Sequence, residues 1–440
     1  MRIAIIGAGA GGLGAAWDLC RAGHEVTIYE SEGQVGGLAA GFRDEAWEWS
    51  LEKFYHHWFE TDKAILSLAE ELGLRDQFIF PRPKTSFWID GRIVRSEITP
   101  GSVFSLPLSP WGLLRFALGG AFLKLTPFWK PLERVTADEW MQQWMGREGY
   151  EKFFKPLLIG KFAEDYDKVN MAWMWARVVA RSLRLGTFVG GFQTFMDTFA
   201  QRLRELGVTI HLNTPIRKIR QEGLQPVVKV NEHDVPYDRV ISTTSPWIML
   251  RLVEGLSDTD YGDRMRQLKS IGGVCVVLAL RQPLMTDGTY WLSLPATSPN
   301  KAESQFPFLA LVEHTNYIDK AHYGGDHLIY CGDYVPANHE HFRMSEEALV
   351  ARFLPTLKKI NPDFHESWVR KAWVWRAPYA QPVPMVYQST YIPPLQTPFP
   401  GIIWASMSQV YPWDRGTNYA VELARLAACI AMGEKEKPRF

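Results

Sequence analysis

The chain has 440 residues, more than one hydrophobic core usually organises, and 46% of them are hydrophobic, so at least two packed units are expected. Its 48 lysines and arginines balance 48 aspartates and glutamates, which excludes a global electrostatic attraction to nucleic acid or an anionic membrane and leaves only local patches. Cys20, Cys275, Cys331 and Cys429 stand far apart, in neither disulfide-framework nor metal-ligand spacing, so no metal site is expected and a reducing, cytoplasmic setting is.

Arg2-Ile3-Ala4-Ile5-Ile6 reads as a buried first strand running straight into glycines, with no basic leader or cleavage pattern, which argues against secretion. A helix through Ala22 follows, closed by Gly23, and then a strand from Glu25 to Tyr29. Ile65, Leu68, Ala69 and Leu72 predict an amphipathic helix over 61–73. Residues 76–189 are rich in Pro and Trp; within them the apolar stretch Trp111 to Phe128 is interrupted by Arg115, Gly119, Gly120, Lys124 and Pro127, short of the roughly 20 clean residues that cross a bilayer. It reads either as a helix packed on the protein or as a surface that dips into a membrane or admits a greasy substrate. Phe195, Phe199, Leu203 and Leu206 predict a helix over 193–206, followed by strands at Val208–Leu212 and Arg239–Ser242. Further strand-like runs are Gly273 to Leu280, Pro307 to Val312 and His327 to Val335, and Thr417 to Ala431 reads as a last helix. The pattern is α/β: a Rossmann-like unit in three parts (1–75, 190–250, 393–440) into which an α+β substrate unit is inserted twice (76–189, 251–392).

The chemistry begins at Gly7-Ala8-Gly9-Ala10-Gly11-Gly12. Gly7 permits a tight turn off the strand, Gly9 lets backbone approach a pyrophosphate, and Gly12 with Ala16 lets helix and strand pack closely. Ala10 and Gly11 open the helix, whose free N–H groups and positive dipole end face the phosphates. Glu30 ends the second strand, where a carboxylate accepts from the adenosine ribose hydroxyls; with no arginine in Ser31-Glu32 to receive a 2′-phosphate, NADP is disfavoured.

After that strand comes Gly36-Gly37-Leu38-Ala39-Ala40-Gly41, and here the chain resembles the flavin amine oxidase superfamily, which includes protoporphyrinogen oxidases, phytoene desaturases and UDP-galactopyranose mutases. The resemblance runs from end to end, through Gly190-Gly191-Phe192 opening a helix, Asn213-Thr214-Pro215-Ile216, the strand Asp238 to Thr243, and the run from Gly401 into the last helix. It implies FAD, with Gly36, Gly37, Leu38 and Ala39 passing the flavin end, Ile216 meeting the adenine through its backbone, and Gly416, Thr417 and Asn418 at the flavin itself. That helix start would favour a reduced, negatively charged flavin ring on physical grounds as well. The sequence departs from the family pattern at Leu38, where many relatives have arginine, and at Ser408, where many have an acid. No cysteine lies between Cys331 and Cys429, so the flavin should be non-covalent.

Flavin chemistry requires a C–H bond held over the ring and water kept away. His56 and His57, in Glu52-Lys53-Phe54-Tyr55-His56-His57-Trp58, are candidates for a substrate hydrogen bond or a base, or else are rings satisfied in an aromatic core. Lys161, set among apolar residues, either reaches solvent or marks a pocket. Tyr411 and Trp413 could wall the site or simply pack, and Asp414 and Arg415 read as a surface pair. The leading expectation is an FAD-dependent oxidoreductase that dehydrogenates a hydrophobic small molecule and passes electrons to oxygen, a quinone or another acceptor, with peripheral membrane contact open. The alternatives are a non-redox flavoenzyme resembling UDP-galactopyranose mutase, for which Arg177, Arg181 and Arg184 at helical spacing would bind a diphosphate, and a flavin-binding protein without turnover.

Overall fold

The computed structural model describes residues 1–440 apart from 96–105, 181 and 301–302. Strand Arg2–Ile6 lies between strands Glu25–Tyr29 and Arg239–Ser242, parallel to both, with Ile3 opposite Val26 and Ile5 opposite Ile241. Thr209–His211 adds on one side and Ile402–Trp404 on the other, giving a five-stranded parallel sheet. Its strands are continuous apolar runs because helices cover both faces: Ile3, Ile5, Ile28, Val240 and Ile241 are all buried. One covering helix, Ala10–Arg21, lies against the last helix, Thr417–Ala431, through its glycines. A Cβ on Gly14 would stand 3.6 Å from Val421, and one on Gly11 3.4 Å from the Ala420 carbonyl oxygen.

A second sheet of seven strands runs in the order Val369–Pro382, Ser270–Leu280, His327–Val335, Ala310–Glu313, Thr289–Ser293, Lys84–Ile89, Arg92–Arg95. Neighbours are antiparallel except Thr289–Ser293 with Lys84–Ile89. Strand Ser270–Leu280 is buried on both faces. Val274, Val276 and Leu278 pack into a core with Phe353 and Leu357, while Cys275, Val277 and Ala279 pack with Trp47, Tyr290 and Tyr330. The mixed architecture agrees with the expected α/β class, and the strand read at 307–312 starts only at Ala310.

Helix Pro110–Leu125, capped by Ser109 accepting from the Gly112 N–H, has two contrasting faces. Gly112, Phe116, Gly119 and Leu123 are buried, while Trp111, Leu114, Leu118, Phe122 and Leu125 are exposed, Leu125 by 80%. Phe128 and Trp144 extend the exposed apolar surface. No helix among the described residues is long and apolar enough to cross a membrane.

Candidate active site

The glycine turn has the geometry its sequence predicts. Gly7 sits at φ +105°, and a Cβ on Gly12 would fall 1.9 Å from the Gly7 carbonyl oxygen, so only glycine closes the turn. The helix then starts at Gly9 with no side-chain cap, so the N–H groups of Ala10, Gly11 and Gly12 are unclaimed by any capping side chain. The Gly36 N–H donates to the Ala8 carbonyl at 2.9 Å, and a Cβ on Gly37 would stand 3.3 Å from Gly9 Cα: the two glycine segments lie backbone on backbone. Glu30 is buried beside them. One carboxylate oxygen accepts from the Ala8 N–H at 2.7 Å and the other from Ser31 Oγ and the Glu32 N–H, both at 3.0 Å. The Thr214 N–H donates to the Glu30 carbonyl at 2.7 Å, which brings the loop to Ile216 alongside.

At the other end, the side chains of Thr417 and Asn418 are engaged by their own chain. Trp58 Nε1–H donates to Thr417 Oγ1 at 2.6 Å, and Asn418 Oδ1 accepts from the Ile65 N–H at 3.1 Å. The last helix therefore offers backbone rather than side chains, its start at Gly416 lacking a side-chain cap. Ser408 is buried against Tyr379, Oγ to hydroxyl 2.6 Å. These two uncapped helix starts, the side-chain-free turn and the buried terminal carboxylate fit a dinucleotide such as FAD.

Between the glycine segment and the second sheet lies a cavity lined by Leu38, Phe54, Tyr55, His56, Gly273–Cys275, Gly332–Tyr334, Ala380 and Arg415. Ala39, next to Leu38, is buried in the core. Gly332 makes room for Tyr55, whose ring a Cβ at 332 would meet at 2.3 Å. His56 Nδ1 bonds the Phe54 carbonyl at 2.6 Å; the carbonyl accepts, so the proton is on Nδ1 and Nε2 is the ring's acceptor. Burial pushes its pKa down to about 4, so the ring is neutral at pH 7. His57 turns the other way: its Nε2 meets the Tyr290 hydroxyl at 2.8 Å, with Trp291 and Tyr317 around the ring, and it does not line the cavity. The two histidines, adjacent in sequence, thus part between the cavity and an aromatic core.

Lys161 is buried, neither reaching solvent nor lining the cavity. Its Nζ lies 3.5 Å from Asp414 Oδ2 and over the rings of Trp173 and Tyr334, so it sits behind one of the cavity's wall residues. Asp414 and Arg415 correct the expected surface pair. Asp414 gathers Lys161, the Arg177 guanidinium, Trp173 Nε1 at 3.2 Å and Gln381 Nε2 at 3.3 Å, while the Arg415 guanidinium turns to the Tyr334 hydroxyl in the cavity wall. The half-buried Asp414 carboxylate is drawn to two cations and two neutral donors on one side while Arg415 turns to a hydroxyl on the other, which parts the neighbours in sequence. Tyr411 is buried in the core with its hydroxyl on Glu133, and Trp413 stacks on Tyr419; neither lines the cavity. Of the arginines expected to converge, Arg177 is taken by Asp414, Arg184 stands 3.9 Å from Glu60, and Arg181 lies outside the described residues. Tyr55, Asp333 and Tyr334 are cavity residues that the sequence does not single out, and Arg415 is one that it offers only as half of a surface pair. A cation directly before the last helix is a local signal for Arg415 alone.

A family model described as flavin containing amine oxidoreductase matches residues 10–432. Among curated proteins, protoporphyrinogen oxidase 2 of Arabidopsis thaliana is 28% identical over 183 residues, 39% of this chain and 34% of that protein. A 15-cis-phytoene desaturase of Glycine max is 22% identical over 400 residues, 82% of this chain and 66% of that protein. The chain thus spans about a third of the length of the first of these relatives. Among solved structures, a reduced UDP-galactopyranose mutase superposes with a TM-score of 0.76 at 16% identity, covering 99% of this chain and 96% of that one, a likeness of fold. The turn, the terminal carboxylate and the family match agree, and the chain belongs to the flavin containing amine oxidoreductases.

Proposed function

We propose that this protein dehydrogenates a hydrophobic small molecule held in the cavity between Leu38, Phe54–His56 and the second sheet, beside a non-covalent FAD. The observation that supports this is the cavity itself: Leu38, Phe54, Val274 and Ala380 give it an apolar wall beside the polar ends of Tyr55, His56, Asp333, Tyr334 and Arg415, where the glycine segment and the start of the last helix meet the sheet. Gly7–Gly12 and Glu30 would hold the dinucleotide, Gly36–Ala39, Ile216 and Gly416–Asn418 its length, largely through backbone. FAD, when bound, supplies the hydride acceptor. The chain's own work is positioning and exclusion of water. Phe54, Tyr55 and Tyr334 shape the cavity, and the neutral His56 offers an acceptor to a substrate N–H or O–H or to a leaving proton.

Anaerobic mixing of holoenzyme with candidate hydrophobic substrates tests the reading. Bleaching of the flavin with one equivalent of oxidised product is expected, and turnover with no net redox change would favour the mutase-like alternative. That alternative draws less support from the side chains, because Arg177 and Arg184 are each paired with an acid away from the cavity. The exposed stripe Trp111, Leu114, Leu118, Phe122 and Leu125 favours a second feature, peripheral contact with a membrane through which a greasy substrate arrives.

A further inference from the structure

The cavity holds a cation with an unused hydrogen-bond donor. Arg415 lines it, hydrogen-bonds the Tyr334 hydroxyl and stands over that ring, 5.6 Å from its centroid. Its Nε is buried and makes no hydrogen bond. The nearest acid in sequence, Asp414, accepts from the Arg415 backbone N–H at 3.1 Å and turns its oxygens to Lys161, Arg177, Trp173 and Gln381. A buried guanidinium is costly unless paired, and the donors left over form a planar fork suited to two oxygens of one anion. Burial works against its charge, but Tyr334 and Asp414 more than offset this and its pKa is raised, so it stays cationic.

We propose that Arg415 is an anion subsite of the substrate cavity, so that the substrate is a hydrophobic molecule carrying a carboxylate or similar anionic group, anchored at Arg415 while its apolar body lies against Phe54, Tyr55 and Val274. This rests on the reading of the cavity as the substrate site and names the substrate class. Asp333 lines the same cavity, so the anion belongs at the Tyr334–Arg415 end, with any hydrogen-bond donor of the substrate toward Asp333. The other anion that could claim the guanidinium is the reduced flavin ring, and the test separates the two.

Purified holoenzyme is titrated with benzoate and with benzyl alcohol, equal in ring and differing in charge, by perturbation of the flavin spectrum, and the flavin midpoint potential is measured. Wild type should bind benzoate about tenfold or more tighter than benzyl alcohol, the scale of a charge-assisted pair. Arg415→Met should erase the preference while keeping flavin content, benzyl alcohol affinity and midpoint potential, and Arg415→Lys should restore part of it. No preference in wild type, a preference that survives Arg415→Met, or a lowered potential in Arg415→Met with the preference intact would each overturn the proposal, the last by assigning the guanidinium to the flavin. A protein that takes up no FAD at all would instead sink the flavoenzyme reading on which it rests.

Discussion

Two buried carboxylates do opposite things in this molecule. Glu30 stays beside the glycine turn, its oxygens shared among the Ala8 N–H, Ser31 and the Glu32 N–H, with lone pairs still available to ribose hydroxyls. Replacing it with alanine should weaken FAD binding by about 1.5 to 3 kcal/mol, the scale of hydrogen bonds to a charged group; titration of apoprotein with FAD checks this, and unchanged affinity would remove Glu30 from the site. Glu52 instead lies in a tyrosine-rich core, where burial pushes its pKa up to about 7 from 4.5. The folded chain keeps that proton where the unfolded chain has lost it, so the stability it contributes is complete below about pH 4.5 and is lost as pH rises through about 7. Glu52→Gln cannot ionise and still accepts the Phe192 N–H bond that wild type makes at 3.0 Å. Relative to wild type it should gain up to about 3 kcal/mol between roughly pH 4.5 and 8 in urea unfolding. Parallel pH curves for the two proteins would contradict this.

Local elements carry the proposed cofactor cradle, and that is why it is legible in the sequence. Strand, turn, helix, strand and terminal acid fall within thirty contiguous residues, and the glycines of the turn answer distances now visible, such as the 1.9 Å between a Cβ on Gly12 and the Gly7 oxygen. Gly12→Ala should therefore lower thermal stability by on the order of 3 kcal/mol or more and release FAD; a variant that unfolds like wild type and stays yellow would show that the turn has slack. Strand Val369–Pro382 was not legible. Pro378 and scattered charges mask it, and it survives as the outer strand of its sheet, with the pairing slipping beside Pro378 where Gly273 faces Ala377 and Ile271 faces Gln381. The cavity was hidden for another reason. Its walls come from residues 38, 54–56, 273–275, 332–334, 380 and 415, brought together by two sheets and the chain end, and no window of sequence contains them. Hence His56 and His57 were indistinguishable by sequence, and Arg415 was read as half of a local pair.

At the scale of the whole molecule, two features carry the reading: an exposed apolar stripe and the junction of the two sheets. The exposed stripe of helix Pro110–Leu125 lies in a segment, 110–131, that contains Arg115, Lys124 and Lys130 and no acid, so its charge matches anionic lipid headgroups even though the chain as a whole is neutral. Flotation with vesicles of mixed anionic and zwitterionic lipid should carry wild type upward, and the pair Leu118→Glu and Leu125→Glu should reduce the bound fraction by about tenfold or more. Protein that stays at the bottom with every lipid would leave the stripe without a membrane role. The second feature is the junction of the two sheets, where the cradle, the last helix and the cavity meet. Everything assigned to it depends on FAD being there. The decisive measurement is the visible spectrum of the purified chain after incubation with FAD and removal of the excess, followed by denaturation. About one flavin per chain, released into the supernatant on unfolding, is the outcome expected from a backbone cradle with no cysteine between Cys331 and Cys429. A chain that remains colourless would contradict the account at its root, and flavin that stays on the denatured polypeptide would contradict its non-covalent attachment.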